Sequence, residues 1–566
     1  MTSFEPEPTI DPSRGPGQPG GGAATRAEGS PGWAWVVGGA LAGVLGIFVA
    51  AWSTALLTTR ADPVEAMAEL IIQITPGSAA NAAVSATGSL DKPLLIGGIT
   101  AVAIGAIAYA GWLLRRTPTI STLLVLLLTT LAGGAVIARD GASITGLAPV
   151  ALGAMTWLFA LRILTNPLAR ADVAAARSAG RAAGGSGGSG GSAAGPGQRR
   201  RGAVDGGRRS FLARAGFAVL AATGLGIVST AAAAERSRTD RVRRVLGQTL
   251  KSRAKVTEGA VPAGADLGVE GVGPWRVPNR DFYRIDTAIV LPEVSVEEWS
   301  LRIHGMVDRE ITLTYDDLTS GRFGETVQEW VTIACVSNEV GGELIGNAWW
   351  SGVRIAPILE QLGISPDADA VLQTSVDGWN CATPLEAVTD ERSSMLAYAM
   401  NGEALPVEHG FPVRMIVPGL YGYVSATKWI TDIEVTRFDQ VEAFWTQRGW
   451  SAKGPIKTMS RVDVPRSNDR VPAGEVALGG FAWAQGTGIE RVEYQVDGGA
   501  WTAAELGQVP GVDTWVQWSG SVTVEPGEHL VRVRATDRSG YTQTRVVKDN
   551  FPDGATGWDA HPFTAT

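Results

Sequence analysis

Cys335 stands in Val331-Thr-Ile-Ala-Cys-Val-Ser-Asn338, between an apolar run and a Gly-rich turn, and is one of only two cysteines in 566 residues. So few cysteines exclude a disulfide framework, which leaves a lone thiol three uses: nucleophile, soft-metal ligand or small buried hydrophobe. All four histidines, His304, His409, His529 and His561, lie beyond the long apolar runs, so those runs cannot offer paired histidine ligands to a haem. There is no Cys-x-x-Cys-His attachment site and no four-cysteine iron–sulfur pattern. Neither haem nor an iron–sulfur cluster is expected, and a redox reaction in this chain would pass its electrons to or from a separate partner, such as a cytochrome or a quinone.

Charge divides the chain in two. Residues 1–250 carry 22 Lys+Arg against 13 Asp+Glu, while 251–566 carry 26 against 43. The basic half also holds five runs near the ~20 apolar residues that cross a bilayer as a helix: Trp33–Leu57, Leu94–Leu114, Ile120–Ala138, Ile144–Leu164 and Phe211–Ala234. Their lack of an amphipathic pattern points to lipid rather than to a protein core. Arg115, Arg116 and the arginine-rich 165–210 loop orient that side to the cytoplasm, and the 58–93 loop with Asp62, Glu65, Glu69 and Asp91 faces outward. Five crossings then put everything after residue 235 outside. Gly207-Arg-Arg-Ser-Phe-Leu-Ala213 resembles a twin-arginine signal, a route that exports domains already folded around a cofactor. Its plainer reading is an ordinary pair of cytoplasmic arginines.

The organisation expected is a multi-domain chain. A disordered tail (1–32) precedes an N-terminal α-helical membrane bundle of four helices (33–165), a disordered basic linker (166–207) with the Gly/Ser run 184–197, and the signal-like fifth helix (208–235). Residues 265–445 mix strand-like runs (Trp299–Val307, Glu329–Ala334, Val413–Val417, Ile430–Thr436) with short helical stretches (Ala356–Leu362, Pro384–Val388), which reads as α+β. Residues 455–560 show short alternating runs, Val476–Ala484, Ile489–Val496, Thr514–Val524, His529–Thr536 and Thr542–Val547, separated by turn signals. This reads as an immunoglobulin-like β-sandwich without its cysteine pair.

Three stretches of 265–445 resemble, in order and spacing, the sulfite oxidase family of molybdenum enzymes. They are Asn279-Arg-Asp-Phe-Tyr-Arg-Ile-Asp-Thr-Ala288, the segment from Cys335 to Trp350-Ser-Gly352, and Met400-Asn-Gly through His409-Gly-Phe-Pro-Val-Arg414 to Tyr421-Gly-Tyr and Lys428-Trp429. The resemblance extends over about 275–560, since the sandwich entered through Gly454-Pro-Ile-Lys457 looks like that family's dimerisation domain. It implies an α+β sulfite-oxidase-like molybdopterin domain and a molybdenum–molybdopterin cofactor, with its phosphate held by cationic donors and its metal by a soft ligand. By that resemblance Cys335 is the catalytic residue and metal ligand. His409, Arg414 and Lys428 bind the phosphate end, aided by Ser425 and Thr427, while Asn279, Tyr283 and Arg284 contact the pterin. Taken singly, His409 reads as a turn histidine and Arg414 or Lys428 as a solvated charge; their conjunction in order is what carries weight. Cys381 is read as a buried structural thiol, and Trp349, Trp350, Trp379 and Trp429 as walls and core.

One departure bears on the substrate. Sulfite-oxidising members follow the metal-binding cysteine with small residues and arginines that form an anion pocket, whereas here Val-Ser-Asn-Glu-Val-Gly-Gly342 follows, with Glu339 and no arginine. An acid near the mouth repels a dianion. Arg354, Arg448 and Lys453 are the other candidate positive charges, and a neutral sulfoxide or other S- or N-oxide is an open alternative to sulfite. The expectation is therefore a multi-pass cell-membrane oxidoreductase that transfers an oxygen atom on a small extracytoplasmic substrate, with lipid as its surroundings. By the resemblance it forms a homodimer through its C-terminal domain, and no nucleic-acid partner is expected. Two other classes stay open: a non-catalytic membrane-displayed scaffold retaining the cofactor fold, and a hydrolase with Cys335 as nucleophile and His409 as base.

Overall fold

The computed structural model describes residues 30–57, 62–75, 91–138, 144–183, 242–288, 291–292 and 294–566. Its four long apolar helices are α1 (Gly32–Leu56), α3 (Asp91–Leu114), α4 (Pro118–Ile137) and α5 (Leu147–Ala183). At ~1.5 Å per residue each is long and apolar enough to cross a membrane. They coincide with the first four expected spans. The fifth, with the twin-arginine-like motif and the Gly/Ser run, lies outside the described residues. One expectation is corrected: α5 does not stop near residue 165 but continues through Pro167 to Ala183. Its last two turns are mainly Ala and Arg, strong helix formers, so that part of the presumed disordered linker is helical. A short helix in the expected outer loop, α2 (Pro63–Ile74), begins where the Asp62 carboxylate accepts the Val64 amide at 2.8 Å.

The chain forms two compact units. In the first (1–50, 101–130 and 151–225), Gly39 and Gly43 lie four residues apart on one face of α1 and let its backbone approach α3. A Cβ on Gly43 would come 3.2 Å from Ile104 Cα, and Trp157 of α5 donates its Nε1–H to Gly43 O at 3.0 Å. Small residues serve this purpose between membrane helices, where close backbone packing replaces the hydrophobic drive.

The second unit (51–100, 131–150 and 226–566) holds the β-rich remainder. One mixed sheet runs in the order β2 (Ile311–Thr314), β1 (Ser300–Gly305), β10 (Ile430–Thr436), β5 (Ala370–Ser375) and β6 (Asn380–Pro384), with β1 and β10 parallel. A second runs β3 (Val327–Ala334), β4 (Ile345–Arg354), β7 (Met395–Met400) and β8 (Glu403–Ala404), with β9 (Arg414–Ile416) also pairing β7. Strands β4 and β7 are buried almost end to end, the mark of a sheet covered on both faces. Three short helices, Tyr315–Thr319, Ala356–Gln361 and Leu385–Thr389, complete the α+β pattern.

Two further sheets follow, antiparallel except for one short parallel pair, Arg470–Val471 with Asp559–Ala565. Met459–Val464, Gly474–Trp483, Val516–Val524 and Glu505–Leu506 form one; Asp559–Ala565, Gly527–Asp537, Ile489–Val496 and Thr502–Ala503, with Arg470–Val471, form the other. Leu478, Phe563, Trp518 and Val533 from both sheets share one apolar cluster, so the two pack as a sandwich. The strand expected at Thr542–Val547 is absent. Its place beside Gly527–Asp537 is taken by Asp559–Ala565, and Gln543 meets the Ala535 backbone through its amide and side chain while Val547 stays 76% exposed.

Gly352 sits where β4 crosses β7, and a Cβ there would meet the Leu396 and Ala397 backbone, which cannot yield as a side chain can. Gly352→Ala is expected to destabilise the second unit by about 1–3 kcal/mol, read as a lowered midpoint in denaturant unfolding of the purified chain.

Candidate active site

Strand β3 ends at Ala334, and Cys335 opens the loop that returns the chain to β4. The loop is held from inside and outside. Cys335 N–H donates to Leu344 O at 2.9 Å, Asn338 Oδ1 accepts the Leu344 amide at 2.8 Å, and Asn338 N–H closes a turn onto Cys335 O at 3.1 Å. Asn550 Nδ2 donates to Ser337 O at 3.0 Å, and Arg461 Nη1 donates to Gly342 O at 3.1 Å, so residues of the C-terminal sandwich fix the loop's far side. Cys335 itself is buried. Burial pushes its thiol up, against the opposing pull of Ser337 hydrogen bonds and the Lys428 charge.

The chain passes the same place twice more. Segment 279–286 lies as irregular backbone without strand partners, and its side chains are set individually. Asn401, held at φ 51°, receives the Trp349 amide on Oδ1 at 2.9 Å and donates Nδ2 to Asn279 Oδ1 at 2.8 Å, while Asn279 Nδ2 reaches Met400 O at 3.2 Å. Tyr283 stacks on Phe282 at 5.3 Å. Burial raises its phenol above the ordinary range, with the Cys335 charge acting the same way and Arg414 opposing it. Tyr421 is pushed up to about 12, again chiefly by burial.

His409 closes a short turn, Val407–His409, and is 2% exposed. Its Nε2 lies 2.8 Å from Asn279 O. A carbonyl only accepts, so Nε2 carries the proton and the ring is neutral. Burial drives its pKa down to about 3, and the nearby Lys428, Arg414 and Arg284 charges add to this while the Asn279 hydrogen bond opposes it. Gly410 follows at φ +110°, in the left-handed region, and any Cβ there would press on Arg414 and Lys428.

Arg414 opens β9 and is 3% exposed; Nη1 donates to His409 O at 3.0 Å, Nη2 to Ala426 O at 3.3 Å, and the guanidinium lies 5.0 Å from the Trp350 ring centroid. Burial lowers it to about 10, so it stays cationic at neutral pH. Lys428 Nζ donates to Asp286 Oδ2 at 3.1 Å and to Glu408 O at 3.0 Å, and burial lowers it to about 8 against the attraction of Asp286. The next residue, Trp429, is bulky yet has φ 50°, a conformation retained only where surroundings impose it; its Nε1–H is tied to Val407 O at 2.8 Å.

The structure thus brings Cys335, Asn279, Tyr283, His409, Arg414 and Lys428 into one neighbourhood. Arg284 joins it through Asp286, at 2.9 Å from Nε, and remains partly exposed. Ser425 and Thr427 are buried with hydroxyls turned to the protein: Ser425 Oγ donates to Tyr421 O at 2.9 Å, and Thr427 Oγ1 lies 3.2 Å from the Cys381 sulfur. Cys381 is fully buried on β6. Arg354 is remote from the site. It ends β4, nine residues from the Ile345 end that abuts the Cys335 loop, or ~30 Å along a strand, and binds Glu329 and Ser393. Arg448 packs 3.7 Å over Phe444, and Lys453 lies 5.8 Å from Phe438. Sequence reasoning passed over Asp286 and Asn401. An acid two residues after Arg284, in a segment assigned to an anionic ligand, and an Asn-Gly pair facing Asn279 were the available signals.

Comparison with known proteins now decides the family. Residues 288–445 match the "Oxidoreductase molybdopterin binding domain" model. The uncharacterised oxidoreductase YuiH of Bacillus subtilis is 35% identical over 183 residues, which cover 32% of this chain and 87% of that protein. The chain belongs to the sulfite oxidase family of molybdopterin oxidoreductases. Arabidopsis thaliana sulfite oxidase is 26% identical over 53% of this chain and 89% of its own length, and the mitochondrial enzyme of Drosophila melanogaster is 29% identical over 45% of this chain, with about half of that enzyme (52%) covered. Among solved structures, the sulfane dehydrogenase SoxCD of Paracoccus pantotrophus aligns at 22% identity with a TM-score of 0.43, over 50% of this chain and 79% of that one.

Family membership indicates a molybdenum–molybdopterin cofactor, and the residues present suit one. Arg414 Nε is buried without a hydrogen-bond partner, an N–H that calls for an acceptor. Lys428 and Arg284 share one carboxylate, Asp286, which leaves their donors in excess over acceptors. Cys335 is a buried free thiol within reach of the Lys428 charge, a residue type that could serve as a soft ligand.

His409 also makes the fold acid-sensitive. Its folded pKa lies below the unfolded value, so its contribution is complete above about 6.5 and is lost as pH falls toward about 3. At pH 5 the expected loss is about 2 kcal/mol. The apparent Tm of the detergent-solubilised chain should drop from pH 7 to 5, and His409→Gln should flatten that dependence.

Proposed function

We propose that this oxidoreductase is membrane-anchored and transfers an oxygen atom on a small neutral S- or N-oxide outside the cytoplasm. The observation that carries the chemistry is the buried Cys335 thiol, held in a braced loop beside the Lys428–Arg414 cations. Lys428, Arg284 and Arg414 would hold the cofactor's phosphate end, and Asn279, Tyr283 and His409 its pterin. Ser425 spends its hydroxyl on Tyr421 O and its amide on Gly422 O, so of this pair only the Thr427 amide would be offered to the cofactor. Cys335 would bind the metal as a thiolate, which requires it to release the proton that burial favours. When bound, the molybdenum–molybdopterin group supplies two-electron oxygen-atom transfer.

The chain's own residues orient and exclude water. Neutral His409 donates from Nε2 to Asn279 and so fixes the segment bearing Tyr283. The Tyr283 and Tyr421 phenols keep their protons at neutral pH and so would add no charge around Cys335. A neutral substrate is favoured over sulfite because Glu339 is exposed on the Cys335 loop and Arg354 is bound elsewhere. The apolar helices α1, α3, α4 and α5 support anchoring in the cell membrane, and the acidic 58–93 loop supports an outer position for the site. The two-layer sandwich is compatible with an immunoglobulin-like domain, through which the family resemblance suggests a homodimer. A separate cytochrome or quinone would exchange the electrons.

Cys335→Ser is expected to lower turnover of a sulfoxide by more than about 100-fold, beyond the range usual for residues that merely support a metal ligand, with pterin still bound. Elemental and pterin analysis of the chain made in a cofactor-competent host checks the premise. Protein without molybdenum, or a fully active Cys335→Ser variant, overturns this reading.

A further inference from the structure

Asp286 is held by three cations, one of which comes from far away in the sequence. Its side chain is 5% exposed. Oδ2 accepts from Arg284 Nε at 2.9 Å and Lys428 Nζ at 3.1 Å, while Oδ1 accepts from Lys92 Nζ at 2.7 Å. Lys92 also donates to Ala288 O at 2.6 Å, so it grips the 286–288 backbone as well as the carboxylate. Lys92 lies in the first turn of α3, an apolar helix of membrane-spanning length, and the whole contact falls within the second unit.

We propose that Lys92 is a positioning residue of the cofactor pocket: from the head of a membrane helix it holds Asp286 so that Lys428 and Arg284 are presented to the anionic end of the cofactor. This rests on the cofactor assignment above. Lys92, Arg284, Lys428 and Arg414 against Asp286 and Glu408, whose charge acts on Arg284, sum to two positive charges, the complement of a phosphate dianion. Without Lys92 the sum falls to one. Asp286 then depends more heavily on Lys428, and that carboxylate competes directly with the phosphate for the same ammonium. Lys92 therefore acts through Asp286, and its removal should loosen the bound cofactor rather than alter the residues around Cys335.

The test uses the full chain in detergent and follows the rate at which pterin and molybdenum leave it, because initial content also reflects the loading machinery. Lys92→Gln should release cofactor about tenfold faster than wild type, a difference of about 1.4 kcal/mol, with Lys92→Arg close to wild type. A second measurement needs no loaded enzyme: inorganic phosphate should raise the Tm of the apo chain, and Lys92→Gln should need about tenfold more phosphate for the same shift. If the wild type holds cofactor and Lys92→Gln matches it in both release and phosphate response, the role of Lys92 is refuted while the cofactor assignment stands. A wild type without molybdopterin refutes the assignment itself. A Lys92→Gln chain too unstable to purify leaves Lys92→Arg decisive: release at the wild-type rate supports the role, and release as fast as about tenfold above it refutes it.

Discussion

Positive charge buried with too few carboxylates to neutralise it is the constraint around which the site is built. Lys428 and Arg414 are both withdrawn from water, yet only Asp286 stands against Lys428 as a carboxylate, and Arg414 has backbone carbonyls and the Trp350 ring instead. Burial pulls both pKa values down, to about 8 and about 10, with the Arg414 and Arg284 charges adding to the effect at Lys428. A fold tolerates such an excess only where something offsets desolvation. Asp286 does so in part, held far below the usual carboxylate range by Lys428, Arg284 and Lys92 against the opposing effect of its own burial. An anionic ligand completes the compensation. His409 fits this logic, since a neutral ring adds a donor without adding to the charge.

The same constraint explains the local backbone. Bringing Lys428 back over the His409 turn requires Gly410 at φ +110° on one side and Trp429 at φ 50° on the other. Both conformations are uncommon, and both flank the cation pair. Asn401, also left-handed, fixes Asn279 from the opposite wall. Strained positions gather where three separated segments must converge within hydrogen-bond reach, which is where packing can repay their cost.

Much of this was legible in sequence because the chemistry lies in rare residue types. Resemblance to a family, carried by one cysteine before a Gly-rich turn and by a His, an Arg and a Lys in fixed order, singled out Cys335, His409, Arg414 and Lys428, which the fold brings into one neighbourhood, and apolar runs of bilayer length marked the four helices now described. What escaped depends on register and distance. Ser425 and Thr427 lie in the right segment, but the irregular turn that carries them directs their hydroxyls to Tyr421 O and Cys381. The strand expected at Thr542–Val547 has the right residues and loses its place to Asp559–Ala565, a competition between segments that local pattern does not reveal. Lys92 and Asp286 are 194 positions apart, and no spacing rule joins them.

The proposal of a neutral substrate rests on where the cations are committed. A dianion would need free cations beside Cys335, whereas Lys428, whose charge acts on that thiol, is already bound to Asp286. Arg354, the arginine that follows Cys335 most closely in sequence, is carried by β4 to the opposite end of the sheet and bound to Glu329. Arg461 reaches the Cys335 loop but is engaged by Asp463 and Gly342 O. The loop's exposed ionisable groups are Glu339 and Glu343, which draw no anion toward the site. Phenols that keep their protons, from Tyr283 and Tyr421, add no charge there either, which is what the proposed uncharged substrate would require.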